Sequence, residues 1–175
     1  MPKINTHLHI ALKLSIATEI QDFDSFLLGN AYPDCWKTSV ERSLRCHYKD
    51  DPSGPCDLER FRSTEEKDAF SFGHYFHLWV DNRISEVDVG DISKYDCLIC
   101  DMPVIAPTIQ RLRQLTVTGK KHQALQNVLA LESESMPLYL VPEEKQKRYH
   151  AILDMLADEF LYEIGGIKYA ENLRI

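Results

Sequence analysis

The 175-residue sequence predicts an all-α fold, a single helical domain over residues 1–175. Three observations carry that expectation. Apolar residues recur at three- and four-residue spacing, the period of a helix with one buried face. Helix start and stop residues fall between those segments. No segment sustains the apolar–polar alternation of a half-buried strand. A chain of this length can bury roughly 70% of the surface it exposes when unfolded, enough for one core.

A first helix is expected from about Thr6 to Ile20, capped by Asn5 or Thr6, with Ile10, Leu14 and Ala17 as its apolar stripe. "DSFLLGN" predicts a short helical turn stopped by Gly29 and Asn30. "AYPDCW" predicts a loop in which Pro33 stiffens the backbone before Asp34. "HYKDDPSGPCD" is the clearest turn-rich linker, and "LERF" adds one helical turn. Ser63 and Glu66 in "STEE" read as a capping box that opens a long helix running through about Arg83. Residues 85–102 read as irregular, with helices near 107–117 and 122–133 split by "TVTGKK". "MPLYLVPEEK" reads as an extended connector. Pro142 suits the first turn of a last helix, Glu143 and Glu144 its positive end, and Gly165 and Gly166 its stop.

A hydrophobic fraction of 44% and a charged fraction of 27% suit a soluble globular protein. The net charge of −7 argues against a general nucleic-acid or anionic-membrane partner and suits a bound cation. Lys13, Glu19 and two histidines interrupt the apolar character of the first 23 residues. With no long apolar h-region and no run of about 18–20 apolar residues, a cytoplasmic protein without a membrane span is expected. The cysteines are Cys35, Cys46, Cys56, Cys97 and Cys100, an odd number that favours reduced thiols. "CLIC" has no second C-x-x-C, and Cys46 and Cys56 are too far apart for a zinc knuckle. It reads as structural thiols in an extended or looped stretch.

The candidate chemistry lies in "FSFGHYFHLWVDN", residues 70–82. His77 and Asp81 are four apart on a helix, one turn up the same face, with Cβ atoms about 5–6 Å apart. An imidazole and a carboxylate so placed can converge on one metal ion, or form a simple helix-surface hydrogen bond. Gly73, one turn earlier, allows another segment to approach closely. His74 reads as a supporting residue. Three more residues stand at element boundaries, where a polar side chain can point inward: His7, Asp34 and His47. Three imidazoles and two carboxylates are a ligand inventory for zinc, or for manganese, iron or nickel. The two carboxylates neutralise one divalent ion. Asp34, His47, His77 and Asp81 fill one ion's protein shell, leaving His7 and a shared Asp81 for a second.

These segments resemble a known family. "THLHIALKL", "FLLGNAYPDCW", "CHYKD", "DLERF" and "FGHYFHLWVDN" occur in the order of the zinc-dependent phospholipase C family, whose all-helical fold is shared with zinc-dependent single-strand nucleases. The resemblance covers about residues 4–83. It implies His7, Asp34, His47, His77 and Asp81 as metal ligands, with Asp81 able to bridge two zinc ions. Secreted family members also use their mature amino terminus as a ligand, and no signal to expose one is seen here. Where the family carries a further histidine after the helix aspartate, this chain offers Glu86, Asp88 or Asp91. For the family's late H-x-x-x-[DE] pair it offers His150 and Asp154, which read first as a solvated helix face.

The expected function is that of a metal-dependent hydrolase acting on a small phosphoester, with metal-bound hydroxide as nucleophile. Asp81 is the candidate catalytic residue through the ion it holds. The alternative is a non-catalytic protein of the same fold, with a structural metal site or a binding-module role. The chain has no adjacent His-Asp, no H-E-x-x-H and no G-x-S-x-G, so it does not read as an HD-type phosphohydrolase, a zincin or a serine hydrolase.

Overall fold

The computed structural model describes residues 3–36, 39–87, 92–134 and 139–166. Among these residues there are eight α-helices: α1 (Ile4–Ala17), α2 (Phe23–Ala31), α3 (Val40–Cys46), α4 (Leu58–Thr64), α5 (Ala69–Ile84), α6 (Lys94–Leu112), α7 (Gly119–Ala130) and α8 (Glu143–Gly166). Short 3-10 helices span Pro33–Trp36 and Leu131–Ser133. No strand occurs among the described residues, so the fold is all-α. No helix there is long and apolar enough to cross a membrane.

Helix α5 is the axis of the core. Every residue from Phe70 to Asp81 is buried, so this helix is enclosed all round. Its aromatics carry much of the packing. Phe76 lies 4.6 Å and Trp79 5.1 Å from Phe160 of α8, centroid to centroid. Against α2 the packing is closer still. A Cβ on Gly29 would fall 1.8 Å from the Phe70 carbonyl oxygen, and one on Gly73 would fall 1.9 Å from the Phe26 carbonyl oxygen. The two backbones touch at these glycines, and no other residue fits there. Gly73 thus admits a close neighbour, as its spacing suggested.

Several boundaries differ from expectation, each for a physical reason. Helix α1 begins at Ile4, not Thr6, because Asn5 and Thr6 do not cap it. Their side chains bond Asp101 instead, at 2.7 and 3.2 Å. Gly29 and Asn30 lie inside α2 and do not stop it; the close approach to α5 is what Gly29 serves. Ser63 belongs to α4, its hydroxyl donating to the Arg60 carbonyl, and Asp68 caps α5 by accepting from Ser71 N at 2.7 Å. The largest difference is α6, which occupies residues 94–102, half of the stretch read as irregular. A reciprocal cap starts it: Asp96 accepts from Ser93 N at 2.7 Å, and Ser93 Oγ accepts from Asp96 N at 3.2 Å. Pro103 and Pro107 lie inside α6, each removing a backbone donor, and so mimic helix ends in sequence. Cys97 and Cys100 therefore sit on a helix. Burial and then Asp101 push both thiols up to about 11, which keeps them protonated and unreactive.

Candidate metal centre

Four segments deliver the five residues singled out in the sequence. His7 comes from α1, His77 and Asp81 from α5, Asp34 from the 3-10 helix after α2, and His47 from the C-terminal cap of α3. The structure brings all five together, as two overlapping groups, His7/His77/Asp81 and Asp34/His47/His77, within which the ligand-type atoms lie within 4.8 Å of one another. The rings of His7 and His77 stack with centroids 3.7 Å apart. Only the Asp34 side chain, 17% exposed, reaches solvent appreciably.

Local structure fixes these side chains. The α2–α5 contact at Gly29 and Gly73 presses the end of α2 onto α5. The last carbonyls of a helix have no intrahelical partner, and that of Asn30 accepts from His77 Nδ1 at 2.7 Å. His47 Nδ1 likewise donates to the Ser43 carbonyl at 2.8 Å. The next residue, Tyr48, holds a left-handed φ of 51°, which costs a bulky side chain about 1–3 kcal/mol. Two bonds hold that turn: the Tyr48 hydroxyl donates to Glu65 at 2.6 Å, and its carbonyl accepts from Asp57 N at 2.9 Å. From behind, His74 Nε2 donates to the Cys46 carbonyl at 2.7 Å, the supporting role its position suggested.

These bonds decide the protons. A carbonyl only accepts, so Nδ1 carries the hydrogen in both His47 and His77, and the neutral form of each ring turns a bare Nε2 inward. Those two Nε2 atoms face each other at 3.3 Å. Asp81 Oδ2 is 3.6 Å from one and 3.7 Å from the other, and Asp34 Oδ1 is 3.9 Å from His47 Nε2. On the other side, Asp81 Oδ1 is 3.3 Å from His7 Nε2. Both ring nitrogens of His7 and both oxygens of Asp81 are buried without a hydrogen bond.

Such an assembly of lone pairs is repulsive unless a cation, proton or metal, lies among them. A proton is disfavoured at His77, whose basicity burial and then His7 depress well below its ordinary value, with only partial relief from Asp81. Burial alone would raise the Asp81 carboxyl. Contact with His7, and the positive charge that a proton would place on His77, His7 or His47, outweigh that and hold it well below the usual carboxylate range, so the carboxylate is ionised whenever a cation lies among the rings. A tetrahedral zinc with ligands near 2.0–2.1 Å sets its ligand atoms about 3.3–3.5 Å apart. The contacts of 3.3 to 3.9 Å have nearly those dimensions.

No family model, curated protein or solved structure matches the chain. What singles the centre out is its own geometry.

The other candidates lie elsewhere. Glu86 pairs with Arg83 at 2.5 Å on the surface. Asp88 and Asp91 lie outside the described residues. His150 packs edge-on against His9, centroids 5.3 Å apart, and Asp154 pairs with Lys13 at 2.5 Å. They belong to the α1–α8 seam, and the described metal-type groups do not include them. Sequence reasoning missed the polar network beside that seam. Asp101, fully buried, accepts from Asn5, Thr6, His9 Nδ1 at 2.6 Å and Tyr149 at 2.9 Å. The available signal was His9 itself: two residues after His7 on a helix, it must face roughly the opposite way.

Proposed function

We propose that the centre binds a divalent metal, zinc by preference, and that the protein is a metal-dependent hydrolase acting on a small phosphoester. One observation carries the metal: two imidazole Nε2 atoms 3.3 Å apart, each on a ring whose Nδ1 is committed to a carbonyl, beside a buried carboxylate with no hydrogen bond. Nitrogen and carboxylate donors at that spacing suit zinc, and manganese, iron or nickel accept the same set. Asp34, His47 and His77 make up one shell, which Asp81 Oδ2 approaches at 3.6 Å from His47 Nε2 and 3.7 Å from His77 Nε2. His7 and Asp81 Oδ1 offer a partial second one, so a single ion fills first.

The phosphoester reading rests on the resemblance to the zinc-dependent phospholipase C family. A bound ion supplies Lewis acidity and an acidified water at neutral pH. The protein's part is positioning: the Asn30 and Ser43 carbonyls orient His77 and His47, and Asp81 stays ionised. Asp34, at the exposed edge, marks the side by which water and substrate enter. The five thiols carry no disulfide, which fits the cytoplasmic setting we propose with this function.

Metal analysis of the purified chain, with hydrolysis of a chromogenic phosphodiester, tests this. The wild type is expected to hold about one equivalent of metal per chain, and Asp81→Asn to abolish both metal and turnover. Unchanged turnover in Asp81→Asn overturns the hydrolase, and absence of metal in the wild type overturns the site. A second reading is favoured by the burial of all but Asp34: a structural clip tying α1, α3 and α5 together. It predicts metal and metal-dependent stability with no turnover.

A further inference from the structure

Asn30 is fully buried near the end of α2 and contacts both stacked histidines. Its amide Nδ2 donates to the His7 carbonyl at 2.8 Å, and its own carbonyl accepts from His77 Nδ1 at 2.7 Å. Two atoms in this corner are left over. Asn30 Oδ1 is buried without a hydrogen bond, and so is His7 Nδ1. The first is an obligate acceptor. The second bears the hydrogen whenever His7 turns a bare Nε2 to the centre. His47 and His77 already follow one pattern, Nδ1–H on a carbonyl and Nε2 inward. His7 lacks only the acceptor, and it is already bonded to a residue with an acceptor to spare.

We propose that Asn30 is a positioning residue for His7: its amide oxygen takes the Nδ1–H of His7 when the centre holds a divalent ion, so that all three imidazoles present Nε2. This rests on the metal reading above. The amide orientation is set in advance, because Nδ2 is committed to the His7 carbonyl and Oδ1 alone is left for the ring. The pairing belongs to the loaded state for an electrostatic reason. His7 Nε2 lies 3.3 Å from Asp81 Oδ1, and a bare nitrogen there repels the carboxylate until a cation lies between them. Once it does, rotation of the His7 ring brings Nδ1 to Oδ1 and satisfies both buried atoms. A ligand imidazole held this way through its second nitrogen binds metal more tightly.

Two substitutions separate this from a packing role. Asn30→Leu keeps the backbone carbonyl that serves His77 but removes both side-chain polar atoms. Asn30→Asp keeps an acceptor oxygen. Long-range 1H–15N spectra of the zinc-titrated full chain read each imidazole's tautomer, and titration calorimetry reads zinc affinity. In the wild type, His7, His47 and His77 should all carry Nδ1–H. In Asn30→Leu, His7 should leave that form while His47 and His77 keep it, with zinc affinity down about 10–100-fold. Asn30→Asp should restore the His7 tautomer and most of the affinity. An unchanged His7, or equal disturbance of all three rings, overturns the proposal. If Asn30→Leu does not fold, the wild-type spectrum decides: His7 carrying Nε2–H in the loaded protein overturns it. A wild type that takes up no zinc overturns the metal reading, and Asn30's role with it. Normal uptake with His7 indifferent to Asn30 overturns the Asn30 role alone.

Discussion

His7 and His9 are two residues apart on α1, both buried, each beside a buried aspartate. Their surroundings differ in one respect. Around Asp101, the carboxylate is fully partnered: Asn5, Thr6, His9 and Tyr149 all stand within donating distance of it, the Thr6 and Tyr149 hydroxyls lie 3.0 Å apart, and Asn5 Oδ1 is the one polar atom of these side chains buried without a hydrogen bond. Around Asp81, partners are missing: neither of its oxygens and neither nitrogen of His7 has a hydrogen bond. Histidine and aspartate are common to both, so residue type does not separate a lock from a site. Satisfaction does. A closed network spends its hydrogen-bonding capacity on the fold and tethers α1 to α6 and α8. An open one holds capacity for a ligand, at a cost to the empty fold.

The contrast breaks most readily at Asp101. Removing its carboxylate leaves buried donors on Asn5 and His9 unpaired, and Asp101→Ala should cost about 3–5 kcal/mol in urea unfolding. The folded fraction should keep its zinc uptake. Asp81→Asn should do the reverse, losing the metal while the metal-free chain melts closer to wild type. Equal loss of zinc in both variants would mean that the two networks are one.

Acid sharpens the comparison from the open side. His74 backs the centre through the Cys46 carbonyl, and burial lowers its imidazole to about 4 from an ordinary 6.5, despite support from Glu65. His47 and Lys120 also face it and push the same way as burial. The unfolded chain then binds a proton that the folded chain refuses between those values, so stability falls as pH drops from 6.5 toward 4. The full effect is about 3 kcal/mol, and about 2 kcal/mol is gone by pH 5. Urea unfolding with chelator present should show this slope in the wild type. His74→Gln, which still donates to Cys46, should remove its share of that slope and leave the share of His77, whose basicity burial also depresses; a slope that the substitution leaves unchanged assigns the acid sensitivity elsewhere.

How far the sequence carries this picture depends on the kind of signal. The all-α class was legible from periodicity, and the five centre residues from their spacing along α5 and their places at element ends. What was not legible is long-range. Gly29 looked like a helix stop because the Phe70 carbonyl that excludes any side chain there is 41 positions away. Asn5 and Thr6 looked like caps because Asp101, 96 and 95 positions on, is what they bond. Helix α6 was missed where local signals conflict, its Ser93–Asp96 cap favouring a helix while Pro103 and Pro107 argue for its end. Spacing within a helix brings His77 and Asp81 to one face, but only tertiary contact decides whether their nitrogens and oxygens find partners.

The smallest effect decides the late H-x-x-x-D pair. His150 and Asp154 have the same spacing as His77 and Asp81, yet Asp154 is 59% exposed and its partner is the Lys13 ammonium. An exposed ion pair contributes about 0–1 kcal/mol, so Asp154→Ala should shift stability by about 0.5 kcal/mol and leave zinc stoichiometry and affinity unchanged. His150 gives the pair a sharper edge, since its Nε2 is buried without a hydrogen bond on a ring that contacts His9. If Asp154→Ala removes an equivalent of zinc, Lys13 is a displaceable stand-in for a metal on the α1–α8 seam, and the closed region is not closed at its edge. If it removes none, equal spacing on two helices has produced one open centre and one solvated face. The difference then lies in whether the neighbouring helix supplies a cation of its own.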